Sequence, residues 1–143
     1  MREIKFRGKR RDNEEWIKGY YREHKGRSQI GRNVSTDGYY FAWFEVIPET
    51  VGQYFNDVDI NGEDLYEGDV ISVLGGESWN GYRELDETCL IVWNNGGFRF
   101  RYNNIEYGMM SIGREFSNII DSVEKVDTIW DNEYYKNRFK EEI

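Results

Sequence analysis

Residues 88–93 and 98–102 are runs of β-branched and aromatic side chains separated by Asn94-Asn95-Gly96-Gly97. Asn-Gly pairs accept the positive backbone angles of a tight hairpin turn, so these runs predict two paired antiparallel strands. The same pattern recurs along the chain. Ile4 and Phe6 alternate with the basic residues of segment 2–7 to give a period-two strand. Asp12-Asn13 supplies a turn, residues 16–21 a second strand and residues 29–34 a third. Thr36-Asp37-Gly38 then leads into Tyr39-Tyr40-Phe41-Ala42-Trp43-Phe44, whose continuous apolar character predicts a buried strand, and Pro48 closes this first unit.

A second unit starts near Thr50. Residues 51–55 and 58–60 are short extended segments around a turn. Residues 69–73 form the clearest strand here, entered through Glu67-Gly68. Segment 75–86 is polar and Gly-rich, with Trp79 and Tyr82 its large side chains, and is read as a mobile loop. Residues 125–130 predict a last strand. Asp131 or Asn132 caps a short helix running through Phe139, with Tyr135 and Phe139 four residues apart on one face. Segment 107–124 is ambiguous between strand and helix. The expected fold is therefore mainly β (all-β or α+β), with small barrel-like sheets of short strands and a short C-terminal helix. Its organisation is an N-terminal unit at 1–49 and a C-terminal unit at 50–143, which can also form one compact domain.

Composition limits the alternatives. A mean hydropathy of −0.83 is low enough to suggest disorder, yet aromatic residues make up 17% of the chain, which disordered chains lack. At 143 residues the chain can bury about two-thirds of its unfolded surface, so folding requires no disulfide or metal. Cys89 is the single cysteine, which excludes an internal disulfide and fits a cytoplasmic location. No apolar run approaches the length of a membrane span, and the opening residues lack a leader pattern, so neither membrane insertion nor secretion is expected.

Charge is unevenly distributed. Residues 1–32 hold eleven of the 19 Lys and Arg residues but five of the 27 Asp and Glu residues, and the net charge of the whole chain is −8. A basic segment on an acidic body suggests a nucleic-acid-binding arm. The alternative is that basic strands lie beside acidic ones, within a subunit or between copies. The overall pI near 4.8 favours the alternative, because nucleic-acid-binding domains usually lie above about 9.

Three features of the sequence bear on chemistry: an acidic loop, the nucleophile and metal-ligand inventory, and the aromatic content. Asp57-Val58-Asp59-Ile60-Asn61-Gly62 matches the opening of a calcium-binding EF-hand loop, but the position of its bidentate Glu is Gly68, and neither flank reads as a helix. A turn whose Asp and Asn side chains bond their own backbone explains the segment better. His24 and Cys89 cannot supply a zinc ligand set, and no metal or cofactor is expected. Nucleophile elbows and phosphate-binding glycine loops are absent, so the chain reads as non-enzymatic. The third feature is the aromatic content: Trp79, Tyr82, Phe98, Phe100 and Tyr102 suggest a stacking platform served by Arg99 and Arg101. The same alternation suits a sheet that buries Phe98, Phe100 and Tyr102 and solvates the arginines.

Two stretches resemble the YopX family of phage and prophage proteins. One is Met1-Arg2-Glu3-Ile4-Lys5-Phe6-Arg7. The other is Val51-Gly52-Gln53-Tyr54 leading to Asp59-Ile60-Asn61-Gly62-Glu63-Asp64-Leu65-Tyr66-Glu67-Gly68-Asp69-Val70-Ile71. Residues 123–135 resemble the family's closing strand and acidic helix start. The family's Thr-Gly-Leu after Gln-Tyr is here Phe55-Asn56-Asp57. The resemblance implies a β-rich fold and a phage or prophage origin, and it carries no catalytic residues. It also implies a structural role for the acidic loop, in which Gly62 permits the turn, Tyr66 packs and Gly68 bends the backbone into the strand at Asp69.

The expected function is that of a phage accessory module that binds a phage or host protein and self-associates. The alternative is a nucleic-acid-associated factor using the basic N-terminal segment. Lys9, Arg10, Arg11, Trp79 and Tyr82 are the candidate interaction residues.

Overall fold

The computed structural model describes residues 5–77, 84–94, 97–102, 105–108 and 120–140. Strands make up 59% of it, in two antiparallel sheets with one short C-terminal helix, so the mainly β class holds. Neither sheet closes into a barrel, which corrects the barrel-like expectation. The chain divides into two units, residues 1–56 and 57–143. The division falls within a strand rather than beside Pro48, because residues 52–56 remain part of the first sheet.

Unit 1 contains β1 (Phe6–Lys9), β2 (Trp16–His24), β3 (Arg27–Asn33), β4 (Phe41–Glu45) and the start of β5 (Gly52–Val58). The strands lie in the order β4-β3-β2-β1-β5. The β2–β3 turn is Lys25-Gly26, with φ of 52° and 76°. Two successive positive angles suit the right-handed twist of a two-residue hairpin. Ile17, Ile30 and Val46 form the core of this unit, with Phe6, Phe44 and Val51 packed against it. The end of β4 curls back toward β1 through the bridge between Arg10 and Val46. Ile47 N–H donates to the Lys9 carbonyl at 2.8 Å and Arg11 N–H to the Glu45 carbonyl at 3.0 Å. Gly8 makes room for this curl, since a Cβ there would meet Val46 carbons at 3.1 Å.

Unit 2 contains β6 (Asp64–Tyr66), β7 (Asp69–Glu77), β8 (Glu84–Asn94), β9 (Gly97–Tyr102), β10 (Ile105–Gly108), β11 (Ile120–Thr128) and α1 (Glu133–Arg138). Its five-stranded sheet has the order β10-β9-β8-β7-β11. The expected hairpin is present: β8 and β9 pair from Leu90 opposite Arg101 to Asn94 opposite Gly97. Phe98 is buried as expected and Arg101 is half-buried, whereas the side chains of Arg99, Phe100 and Tyr102 lie outside the described residues. Segment 75–86 is not a continuous loop, because β7 runs to Glu77 and β8 begins at Glu84. Val70, Leu90, Ile129 and Phe139 form the core of this unit, with Val92, Trp130 and Tyr135 against it.

Asn132 caps α1, its side chain accepting from Tyr135 N–H at 3.2 Å. This satisfies one of the donors that every helix start leaves open. Tyr135 and Phe139 lie one turn apart, and Phe139 closes the helix 2% exposed.

Candidate nucleic-acid interface

The β2 sequence places aromatic and cationic residues at alternate positions: Trp16, Lys18, Tyr20 and Arg22. Alternation in a strand sends these four to one face and Ile17 and Gly19 to the other, where the unit 1 core lies. Cross-strand register extends the first face. Arg7 and Lys9 of β1 stand opposite Lys18 and Trp16. Gly31 and Gln29 of β3 stand opposite Tyr20 and Arg22, and Trp43 and Glu45 of β4 stand opposite Gly31 and Gln29. Phe41 belongs to the same face, two residues before Trp43.

The aromatic side chains on this face touch one another. Tyr20 and Phe41 have ring centroids 6.1 Å apart, and Phe41 meets Trp43 edge to face at 5.3 Å. Arg22 lies over the Trp43 ring at 4.0 Å and donates from Nε to Gln29 Oε1 at 2.7 Å. Trp16 carries two cations, Arg7 at 4.5 Å and Lys9 at 5.6 Å. Such contacts are worth about 0.5–1 kcal/mol each at exposed sites and more when desolvated. Gly31 forms the floor beneath the rings. A Cβ there would approach Trp43 Cε3 to 2.5 Å and Phe41 Cε1 to 2.6 Å, so only glycine lets both rings lie against the sheet.

The face is open at one side and closed at the other. Tyr20 is 64% exposed and Phe41 48%, whereas Arg7 is 3% exposed. The open part is therefore the β2–β4 portion, with Lys18, Tyr20, Arg22, Phe41 and Trp43. Glu45, at the β4 end of this face, is held by Arg11 at 3.1 Å and Arg27 at 3.5 Å.

Beside this face, residues 34–40 form a loop tied by its own side chains. Ser35 Oγ donates to Asp37 Oδ1 at 2.6 Å, and Tyr39 N–H donates to the same oxygen at 3.1 Å. The Ser35 bond, with Tyr39 N–H behind it, holds the Asp37 carboxyl below its ordinary range. Tyr39 and Tyr40 project from this loop at 85% and 67% exposure. Segment 39–44 is thus not the buried strand its apolar run predicts. Phe41–Glu45 is an edge strand with one aromatic face turned to solvent.

The sequence-predicted residues are divided. Lys9 faces outward beside Trp16. Arg10 points to the opposite side of the sheet, over Phe44 at 4.4 Å, and grips Asp12 through bonds of 3.0 and 2.6 Å. That grip lowers the Asp12 pKa. Arg11 is paired with Glu45. A cavity of about 270 Å³ lies among Arg10, Arg11, Asp12, Phe44 and Glu45, where each guanidinium is already answered by a carboxylate. The basic triplet is therefore not one patch. Trp79 and Tyr82 lie outside the described residues. Sequence reasoning missed Lys18, Tyr20, Arg22, Phe41 and Trp43. The available signal was the aromatic–cation alternation of residues 16–22, visible once the strand is read by face.

The acidic loop of unit 2 is structural. Asp59 is 5% exposed. Its Oδ1 accepts from the N–H groups of Asn61 and Glu63, both at 2.9 Å, and its Oδ2 accepts from Lys125 N–H at 2.9 Å. Burial pushes the Asp59 pKa up, but these backbone donors outweigh it and the pKa is lowered. Gly62 and Gly68 adopt φ of 81° and 94°, the left-handed region glycine tolerates. Tyr66 is fully buried, and Asp69 Oδ2 accepts from Tyr66 N–H at 2.8 Å with Lys125 Nζ at 3.6 Å.

Comparison with protein-family models, curated proteins and solved structures finds no match to this chain. Among the described residues no helix is long and apolar enough to cross a membrane.

Proposed function

We propose that this chain is a non-enzymatic accessory protein of the YopX-like phage and prophage type, working in the host cytoplasm, and that it binds nucleic acid through the outer face of β2–β4. One observation carries the reading. Tyr20, Phe41 and Trp43 form a contiguous ring surface on a face that also carries Lys18 and Arg22. Aromatic rings that accept bases beside cations that accept phosphates are the two parts a nucleic-acid platform needs. The net charge of −8 repels phosphate at long range, so binding depends on this local concentration of positive charge. Self-association belongs to the same reading, the basic segment of one copy meeting the acidic residues of another, and sedimentation at low and high salt reads it.

Fluorescence anisotropy with a labelled mixed-sequence oligonucleotide tests the proposal. The double variant Lys18→Glu, Arg22→Glu is expected to bind at least about tenfold more weakly at low salt, since two attractive phosphate contacts become repulsive. Arg10 and Arg11, which do not border the Tyr20–Phe41–Trp43 rings, are expected to have a smaller effect when replaced in the same way. Equal binding by the wild type and the Lys18/Arg22 variant contradicts the proposal.

Protein binding is the second reading, and the exposed pair Tyr39 and Tyr40 supports it, because tyrosines are frequent anchors of protein interfaces. A stoichiometric partner that survives nuclease and is lost with Tyr39→Ala, Tyr40→Ala would move the function to that loop.

A further inference from the structure

We infer that the outer edge of β4 pairs with β4 of a second copy, antiparallel about a twofold axis at Ala42, to give one sheet shared by two copies. The contact is uncharged, so it is separate from the charge-driven meeting of copies above, and it does not rest on the nucleic-acid reading. Three observations on the strand carry it.

The first is the direction of its backbone groups. β4 ends its sheet, with β3 as its neighbour. Val34 N–H donates to the Tyr40 carbonyl at 2.8 Å and Val46 N–H to the Ser28 carbonyl at 2.9 Å, so the even-numbered residues of this segment bond β3. In an antiparallel ladder the intervening residues turn their N–H and C=O the other way. Glu45 shows that side in use, its carbonyl accepting from Arg11 N–H at 3.0 Å. Phe41 and Trp43 therefore each present a donor and an acceptor along the outer edge, and among the described residues no strand takes them up. Such a row of backbone groups is a template for another strand.

The second is what the edge lacks. Natural edges are kept apart by charges, prolines or bulges. Gly38-Tyr39-Tyr40-Phe41-Ala42-Trp43-Phe44 has no charge and no proline in a chain that is 32% charged, and its register with β3 runs without a shift. The net charge of −8 sets two copies against each other elsewhere. A neutral strand is where they meet without opposing like charges.

The third is self-complementarity. Pairing about Ala42 sets Phe41 opposite Trp43 of the second copy and Tyr40 opposite Phe44, each contact occurring twice. The small Ala42 faces its own copy on the axis, at a position where opposed side chains lie closest. Residues 9–11 already bond residues 45–47, so the shared ladder spans 40–44. Tyr39, Tyr40 and Phe41 are 85%, 67% and 48% exposed. At about 200 Å² per ring they bring about 400 Å² a side, half of the roughly 800 Å² that a stable pair buries per partner. Backbone pairing adds to this, and the dimer is expected to be a weak, concentration-dependent one.

Sedimentation velocity of the full chain over a range of concentrations tests the inference, at about 0.15 M salt and again at about 1 M, where the Debye length falls from about 8 Å to about 3 Å. A dimer that survives the higher salt is expected. At the lower salt, Ala42→Lys and Ala42→Glu each set like charges face to face and are expected to weaken the dimer at least about tenfold. An equimolar mixture of the two sets opposite charges face to face and is expected to return it to within about threefold of wild type. Tyr40→Lys, at an exposed position, is expected to weaken it similarly, and thermal melting reports whether each variant remains folded. In the wild type, hydrogen exchange at the Phe41 and Trp43 amides is expected to slow as concentration rises. A chain that stays monomeric, a dimer lost at high salt, or a dimer left intact by folded Ala42 and Tyr40 variants overturns the inference. A mixture of the folded charge variants that stays monomeric overturns the twofold at Ala42.

Discussion

Asp59 shows how one side chain can resemble a ligand and act as a clasp. Both carboxylate oxygens are occupied by backbone N–H groups, two from its own turn and one from Lys125 of β11. Replacing it with Asn keeps the shape but removes the charge and one acceptor, so Asp59→Asn is expected to cost about 1–3 kcal/mol in chemical denaturation. The pH dependence follows from the direction of its shift. The folded pKa lies below the ordinary 3.8, so the stabilisation is fully present above that value and is lost as pH falls through the folded pKa. Melting temperatures between pH 5 and pH 2 should therefore fall less steeply in Asp59→Asn than in the wild type. Asp59 also shows what spacing alone conveys. Oxygen-bearing residues at alternate positions before a glycine are common to calcium loops and to self-bonded turns. What separates them here is a donor 66 residues away, which no local pattern contains.

Individual elements were legible where their signal was local. The Asn-Gly hairpin, the glycine-entered strand at Asp69 and the capped helix all depend on a few adjacent residues, and all three are present. The helix gives a direct check. Phe139 fills the core beside Val70, Leu90 and Ile129, so Phe139→Ala is expected to cost about 3–5 kcal/mol, and loss of the Asn132 cap by Asn132→Ala about 1 kcal/mol. Equal costs in denaturant melts would contradict this division of roles. The segment before β4 departs from the sequence expectation for a physical reason. A run of six apolar residues looks like a strand buried on both faces, but Tyr39 and Tyr40 belong to a loop held by Ser35 and Asp37, and only Phe41–Glu45 enters the sheet. Hydropathy does not distinguish an aromatic side chain that packs from one that waits for a partner.

At the scale of the whole molecule, charge alone pointed in two directions. An acidic chain with a basic start suits either a nucleic-acid arm or complementary strands, and the pI argues for the second. Strand register changes the weighing, because it separates cations that composition counts together. Arg10 and Arg11 are held by Asp12 and Glu45, and Lys18 and Arg22 share with the exposed rings the face turned away from the core. The adjacent triplet that was conspicuous in the sequence is split, and residues spread from position 18 to position 43 come together. The pairing of β2, β3 and β4 makes that assembly, and single-residue statistics do not hold it. The central claim is that this assembled face takes the phosphates and bases of a nucleic acid. The most direct measurement is the salt dependence of binding to a short single strand by the full chain. Contact with about two phosphates predicts that log K falls against log salt with a slope of about −1.4, and that Lys18→Glu, Arg22→Glu flattens it. A slope near zero, or the same slope in the variant, would contradict the account.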